Sequence, residues 1–306
     1  MTLHPQSSIF YSYCLCSVLM GLGLAPLYAQ TQTPVLQVAT KTLQNSYAFD
    51  AGTELNLEGN NAEISVVTGM EPKVLLITEI SAAHPDKKVA TADLEKMTYS
   101  AERVKNKIYV RNYISSDAAK PASIFRVKYK VIVPAECPVY VKNSYGETQV
   151  NGLRSILRLQ SDFTNVGLRN IQGNVEVRSR FGDVEGQNLD GRFLFNTRRS
   201  DVTLRDLKGS FDIETFLGAL KLFAGKDITD LRLKSEMTAV TIFNPFPELF
   251  AYNIESKNAR LDLPEGIKFQ QKQISPDIQQ ITFRSGREIY PSITISITLG
   301  SLEIEK

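Results

Sequence analysis

The sequence predicts an all-β protein: a single-stranded parallel β-helix, or β-solenoid, with coils of about 18 residues, irregular coils on its N-terminal side and a cap on its C-terminal side. Three observations lead to this prediction. Short runs alternate apolar and polar residues, the runs recur every 18 residues between positions 139 and 242, and small residues recur at the same place in each unit. A unit this short cannot bury its apolar side alone, so it must stack on its neighbours.

The repeat places apolar residues in columns. Its units begin, after a two-residue insertion in the last case, at Val139, Leu157, Val175, Phe193, Phe211 and Leu231. The third place of each unit is also apolar and the second is mostly polar, which predicts a short strand with one buried face. The tenth and twelfth places repeat this pattern. Parallel stacking at ~4.8 Å would align each place with its equivalent in the next coil.

A corner is predicted between the two strands of each coil. The fifth place is small and polar, which suits side chains that bond to the backbone. The seventh place, expected to form a stacked column, holds Tyr145, Phe163, Phe181, Arg199, Leu217 and Met237. A left-handed helix of hexapeptides would need apolar residues at every sixth place, but Asn151 and Arg169 occupy the thirteenth. We therefore expect the right-handed form.

Composition excludes several classes of function. The net charge is +2, with 22% charged residues, which argues against nucleic acid or a general affinity for anionic surfaces. Outside the N-terminal apolar stretch the chain has one cysteine, Cys137, and one histidine, His84. We therefore predict no disulfide framework, no histidine-based catalytic triad, no metal site and no cofactor.

The N-terminal segment has the sequence features of an export signal. Residues 1–29 carry no charged side chain, and an apolar run ends in small residues at Ala29, which predicts a cleaved signal peptide. An uncleaved membrane anchor and a lipoprotein remain alternatives, and no later segment is apolar enough to span a membrane. The remaining predicted regions are a linker (30–47), irregular N-terminal β-coils with loops (48–138), the regular solenoid (139–266) and C-terminal strands with a cap (267–306).

Several segments outside the repeat are predicted individually. Met97–Arg103 and Lys107–Tyr113 flank a turn and predict a hairpin, with a short helix as the alternative for the first. After a loop, residues 252–254 and 259–263 resume the apolar pattern once more. The Lys- and Gln-rich segment 267–280 is the candidate cap that would protect the open end of the stack.

The motifs resemble a known group of proteins. A strand over Tyr129–Pro134 is followed by Val139–Gly146, glycines end the coils every 18 residues, and the chain closes with Ile297–Ile304. In these features the chain is similar to the secreted adhesin-like β-solenoid proteins of bacterial envelopes, which include auto-transporter adhesin head-like domains of unknown function. The resemblance implies a fold and an envelope location. It supplies no functional residues.

Stacked carboxylates are the candidate for enzymatic chemistry. Asp183 and Asp201 occupy the same place in consecutive coils, so their carboxylates are expected ~5 Å apart, as in retaining glycosidases. Both follow a small residue at the predicted bend, however, where aspartate commonly forms turns. Together with Asn165 they could bind calcium, but the glycine-rich repeat of calcium-binding solenoids is missing.

An arginine cluster is the candidate binding site. Arg178, Arg180, Arg198 and Arg199, with Arg192 and Arg205 nearby, fall on adjacent coils. Guanidinium groups suit the sulfate, phosphate or uronate groups of envelope polysaccharide. The alternative is a solvated face whose arginines pair with acids, for which the candidates are Glu176, Asp183, Glu185, Asp201 and Asp206. Phe193, Phe195 and Phe211 are expected in the core, whereas Phe216, Phe246 and Tyr252 could be exposed.

These observations predict a non-enzymatic adhesin-like or scaffolding protein of the bacterial cell envelope or exterior. Its partner would be envelope polysaccharide or another envelope protein, and it would lie in the periplasm, on the outer-membrane surface or outside the cell. Two alternatives remain: a polysaccharide-active enzyme that uses Asp183 and Asp201, and a periplasmic structural or sensory partner protein. The pattern does not specify the oligomeric state.

Overall fold

The computed structural model describes residues 35–115, 119–284 and 291–306. The predicted signal peptide, residues 1–29, lies outside them. Within the described residues the protein is all-β, with 17 strands in one mixed sheet. The strands are β1 Gln37–Ala48, β2 Glu54–Asn60, β3 Ala62–Gly69, β4 Lys73–His84, β5 Met97–Val104, β6 Lys107–Ile114, β7 Ile124–Pro134, β8 Val139–Asn151, β9 Leu157–Arg180, β10 Val184–Phe223, β11 Ile228–Phe243, β12 Ala251–Lys257, β13 Arg260–Asp262, β14 Gln270–Ser275, β15 Ile278–Phe283, β16 Ser292–Thr298 and β17 Ser301–Glu305.

Helical structure is sparse. One α-helix, α1, covers Lys87–Leu94, and a 3-10 turn covers Pro247–Leu249. Asp86 caps α1, since its Oδ1 accepts a hydrogen bond from the Lys88 backbone N–H at 2.8 Å. Neither described helix has the length and apolar character to cross a bilayer.

The repeat forms parallel rungs in the predicted register. Val139 pairs with Leu157 and Val175 with Phe193, an offset of 18, and Phe211 pairs with Leu231 across the two-residue insertion. Val175, Phe193 and Phe211 are all buried, and the rings of Phe193 and Phe211 stack with centroids 5.0 Å apart. The predicted stacking of equivalent places is thus confirmed for this part of the chain.

The prediction of a wholly parallel sheet is wrong at both ends. On the N-terminal side β4 runs antiparallel to β1 and to β7, and β5 and β6 form the predicted hairpin. On the C-terminal side β15 runs antiparallel to β12 and to β14. The two hairpins, β5–β6 and β14–β15, follow from their connections, because strands joined by a tight turn can pair only in the antiparallel direction.

The order of the end rungs also differs from the chain order. Strands β16 and β17 lie between β11 on one side and β12 and β13 on the other, and all of these neighbours are parallel. Residues 252–263 do resume the pattern, as β12 and β13, but they do not lie next to β11, because the C-terminal strands occupy the rung between them. At the opposite end β2 and β3 lie in the same way between β8 and the pair β6 and β7.

Three further predictions need correction or refinement. Much of the predicted linker (30–47) is strand β1, which covers residues 37–48. The predicted cap, residues 267–280, contributes β14 and the start of β15, which form an antiparallel hairpin beyond β12. The helix alternative for residues 97–103 is wrong, since this segment is strand β5.

The core is the continuous interior of the stack. Phe193, Phe195 and Phe211 are buried as expected, and Phe246 is exposed. Tyr252 is buried, contrary to the expectation that it could be exposed. The corner prediction also holds at Asn143, which is buried and donates from Nδ2 to the Ala62 carbonyl at 2.9 Å. Because the inward places are filled by the core, function must lie in the outward places and the bends.

Candidate functional site

One outward surface collects most of the predicted binding residues. It consists of the second, fourth and sixth places of the coils, which point away from the core on the first strand of each unit; we call it the arginine face. In the first four coils these places hold Tyr140, Lys142, Ser144, Arg158, Gln160, Asp162, Glu176, Arg178, Arg180, Leu194, Asn196 and Arg198. Parallel pairing sets Arg178 beside Asn196 and Arg180 beside Arg198.

Ion pairs hold part of this face together. Arg178 Nη2 lies 2.7 Å from Glu176 Oε1, and Arg180 Nε lies 2.5 Å from Asp162 Oδ1. Hydrogen bonding to Asp162 raises the pKa of Arg180 above its ordinary value. Arg158 Nε is 3.7 Å from Glu176 Oε2. Arg178 and Arg180 therefore form ion pairs, as the mixed-charge alternative expects, although the partner of Arg180 is Asp162 rather than one of the predicted acids.

Aromatic rings hold the other arginines. The guanidinium carbon of Arg198 is 4.7 Å from the Phe216 ring centroid, and that of Arg199 is 5.4 Å from the Phe181 ring centroid. In the same way Arg158 lies over Tyr140 at 5.4 Å. Such contacts orient a guanidinium while leaving its N–H donors at the edge free to bind anions.

The structure does not place the four predicted arginines in one site. Arg178, Arg180 and Arg198 lie on the arginine face, whereas Arg199 lies at the bend that follows it. Arg205 is held elsewhere, with its guanidinium carbon 3.6 Å from the Phe223 ring centroid.

A cleft of about 740 Å³ opens on the N-terminal part of the arginine face. The β5–β6 hairpin lines it through Tyr109 and Arg111, and β8 and β9 line it through Tyr140 and Arg158. Arg178 is the one predicted binding residue in its lining. Its other charged side chains are Lys142, Glu58, Glu102 and Glu176.

Four residues of the cleft were not predicted from the sequence, for two different reasons. Tyr140 and Arg158 share the second place of consecutive repeats, so the alignment of the units could have found them. Tyr109 and Arg111 could not be placed, because their position depends on the pairing of β6 with β2, which the repeat does not predict.

The carboxylates of Asp183 and Asp201 accept hydrogen bonds from the backbone of the neighbouring coil. Asn165 Oδ1 accepts from the Asp183 N–H at 3.1 Å, Asp183 Oδ1 accepts from the Asp201 N–H at 3.3 Å, and Asp201 Oδ1 accepts from the Ala219 N–H at 2.9 Å. Each oxygen therefore caps the next coil at the bend, the turn-forming role given as the alternative to catalysis. Across the described ranges, no group of three or more His, Cys, Asp or Glu side chains is arranged to hold a metal ion.

Comparison with known proteins returns fold-level similarities only. No family model matches the chain, and no curated protein matches it. Similar solved structures include one from Bacteroides fragilis described as a putative adhesin (8% identity, TM-score 0.42, covering 86% of this chain and 97% of that chain) and one from Clostridium sporogenes described as a putative cell adhesion protein (12%, 0.25, 87% and 99%). A third, from Parabacteroides distasonis, is described as a putative lipid binding protein (10%, 0.34, 87% and 97%).

Proposed function

We propose that this protein is a non-enzymatic, adhesin-like or scaffolding protein of the bacterial cell envelope or exterior. In this proposal a signal peptide exports the chain, and the stacked rungs act as a rigid right-handed β-solenoid that presents the arginine face to a partner. The partner is an acidic polysaccharide, bound in the cleft through uronate or sulfate groups.

The cleft on the arginine face carries this proposal. Arg158 and Arg178 stand on neighbouring coils in its lining, and their side chains are 60% and 67% exposed. Glu176 contacts both arginines, and the guanidinium group of Arg158 also packs on the ring of Tyr140. The two guanidinium groups are thus held in place before any ligand arrives, which lowers the entropy cost of binding.

The chemistry of the cleft favours an anionic ligand. A guanidinium fork binds a carboxylate or sulfate through two parallel hydrogen bonds. Arg111 adds a further positive charge to the same cleft, whereas Lys142 lies 2.6 Å from Glu58 and is neutralised by it.

Equilibrium binding to polygalacturonate, dextran sulfate and neutral dextran tests the proposal. We expect the protein to bind the two acidic polymers in a salt-sensitive manner. It should not bind neutral dextran. Arg158→Gln with Arg178→Gln should weaken binding at least ~10-fold without changing the melting temperature, since exposed ion pairs contribute only ~0–1 kcal/mol each. Arg232→Gln is the matched control, because Arg232 occupies the same outward place two coils beyond Leu194 but does not line the cleft. Equal binding by the double variant would contradict the proposal.

The absence of enzymatic activity is part of the proposal. It is supported by the engagement of one oxygen of Asp183 and one of Asp201 with backbone N–H groups. Release of reducing ends from the acidic polymers, measured over a day, should not exceed the buffer blank. A release that disappears in Asp183→Asn or Asp201→Asn would instead favour the polysaccharide-active alternative.

Export is tested by fractionation of cells that express the full chain with a C-terminal tag. We expect a shortened product in the periplasmic or extracellular fraction, with mass spectrometry locating the new N-terminus near Gln30. A full-length product retained in the cytoplasm would contradict the export proposal.

A further inference from the structure

One bend of each coil places a bulky residue in the left-handed region of the backbone. These residues form a column along the stack, which we call the ridge: Tyr145 (φ 61°), Phe163 (51°), Phe181 (58°), Arg199 (53°), Leu217 (59°), Met237 (48°) and Leu299 (52°). Asn61 and Asn258 extend the column at its two ends, also with positive φ. The ridge is therefore a continuous structural feature contributed by seven coils.

The fold alone does not require these residue types. Left-handed backbone strains bulky side chains but suits glycine, asparagine and aspartate. At a second bend of the same coils the left-handed residues are of this suitable kind: Gly152, Asn170, Asn188 and Asp206. Because the ridge carries aromatic and aliphatic residues in the same conformation, its strain indicates a role beyond forming the turn.

The ridge is an exposed apolar surface. Tyr145 is 55% exposed, Phe163 48% and Leu299 52%. The rings of Tyr145, Phe163 and Phe181 stack with centroids 5.1 and 4.6 Å apart and planes within 4°. Their faces therefore cover one another and only their edges point outward, which disfavours stacking against a sugar and favours an apolar partner.

In the two coils of Phe181 and Arg199, charges of opposite sign flank the ridge. On one side, immediately before the ridge residues, lie Arg180 and Arg198. On the other side, two residues after them, lie Asp183 and Asp201 in the same two coils. A two-fold axis parallel to the ridge would bring each arginine of one copy opposite the aspartate of the same coil in the other copy.

We propose that the ridge is the contact surface of a parallel homodimer of this chain. Its apolar side chains meet across the two-fold axis, and Arg180, which is already bonded to Asp162 of its own copy, and Arg198 face the aspartates of the other copy. Arg199 lies near the axis, in a shallow cavity lined also by Asp183 and Asp201, so carboxylates surround the two guanidinium groups that approach each other. This contact is independent of the polysaccharide cleft.

The size of the ridge determines how tightly two copies are expected to bind each other. Seven rungs at ~4.8 Å give a length of roughly 30 Å. With a width of ~20 Å the contact would bury on the order of 600 Å² per copy, at the lower end for specific interfaces, so we expect a reversible dimer at micromolar concentrations.

Sedimentation velocity of the full chain over a concentration series tests the dimer. We expect a reversible monomer–dimer equilibrium in the wild type. Phe163→Asn with Phe181→Asn should weaken it at least ~10-fold, since exposed aromatic residues at the centre of an interface dominate binding. The melting temperature of the dissociated variant should stay the same or rise, because asparagine adopts the left-handed conformation with less strain. Leu194→Asn is the matched control, as Leu194 and Phe181 are both 39% exposed but Leu194 lies on the arginine face; it should leave the dimer intact.

A second variant tests the flanking charges. Asp183→Asn with Asp201→Asn keeps the side-chain oxygen that caps the next coil but removes both charges. It should weaken the dimer and reduce the dependence of dimerisation on salt. A wild type that stays monomeric, a ridge variant that still forms the dimer, or binding of monomers to phosphatidylcholine vesicles through the ridge would overturn the proposal.

Discussion

Asp93 holds Ser123 through two hydrogen bonds to one oxygen. Its Oδ2 accepts from the Ser123 N–H at 2.9 Å and from the Ser123 hydroxyl at 2.8 Å, and it also accepts from the Ala122 N–H at 2.9 Å. Lys96 Nζ lies 2.7 Å from the other oxygen. Asp93 itself is buried, so this carboxylate ties α1 to the segment that leads into β7.

This arrangement predicts acid sensitivity. The hydrogen bond from Lys96, followed by those from Ser123 and Ala122, holds the pKa of Asp93 well below its usual range. A depressed pKa stabilises the folded state fully above the unfolded value of ~3.9, and the contribution is lost as the pH falls toward the folded value. Chemical denaturation at pH 7 and pH 3 should give a smaller difference for Asp93→Asn than for the wild type, together with a loss of about 2–4 kcal/mol at pH 7. An unchanged pH dependence would contradict this role.

The thiol of Cys137 should be inert in the folded protein. The residue is buried, and burial raises the pKa of its thiol to about 12. Thiolate is the reactive form, so iodoacetamide at pH 8 should leave Cys137 unmodified in native protein and modify it in guanidinium chloride. Peptide mapping by mass spectrometry distinguishes Cys137 from the two N-terminal cysteines. Rapid native labelling at Cys137 would count against its buried position.

Close packing between coils makes one glycine sensitive to substitution. Gly191 has φ 135°, and a Cβ there would overlap the carbonyl oxygen of Gly173 in the neighbouring coil. Gly191→Ala should therefore lower the free energy of unfolding by about 2–4 kcal/mol. Gly225→Ala is the control, since a Cβ at Gly225 meets nothing within 4 Å; it should change stability by less than ~0.5 kcal/mol. Similar losses in both variants would argue against the close approach of the coils.

At Thr215, in the fifth place of its coil, we expect a substitution that does not destabilise the folded protein. Thr215 is buried, and its hydroxyl has no hydrogen-bond partner within the described part of the chain. Thr215→Val keeps the shape and removes an unsatisfied polar group, so it should be neutral or stabilise by up to ~1 kcal/mol. By contrast Thr164 donates to the Asp162 carbonyl at 2.9 Å, and Thr164→Val should destabilise by about 1 kcal/mol. Thermal denaturation of the two variants compares these effects, and a reversed order would contradict the assigned contacts.

The sequence predicted what depends on the repeat. Equivalent apolar places such as Val175 and Phe193 pair because each coil must bury its inward side against the next, and this requirement is local to neighbouring units. The repeat could not predict the order of the rungs at the two ends of the stack. The runs around Tyr252 and Ile293 alternate in the same way, and only their mutual packing decides that the second lies next to β11.

The candidate site, too, could be predicted only where it depends on the repeat. Place-by-place alignment puts Arg178 and Arg180 on one surface, as found. The cleft needs Tyr109 as well, which lies outside the repeat on a hairpin whose docking is a tertiary property. The ridge was predicted as a stacked column, but its exposure and left-handed backbone appear only in three dimensions.

Disulfide trapping tests the stacking of the coils most directly. Arg178 and Asn196 are exposed partners in adjacent parallel rungs, 18 residues apart. Arg178→Cys with Asn196→Cys should oxidise readily to an intramolecular disulfide, since neighbouring strands lie ~4.8 Å apart and disulfides span ~4.4–6.8 Å between Cα atoms. Arg178→Cys with Glu214→Cys, two coils apart, should not. Equal trapping of both pairs, or trapping of the second alone, would contradict the parallel register on which the arginine face and the ridge depend.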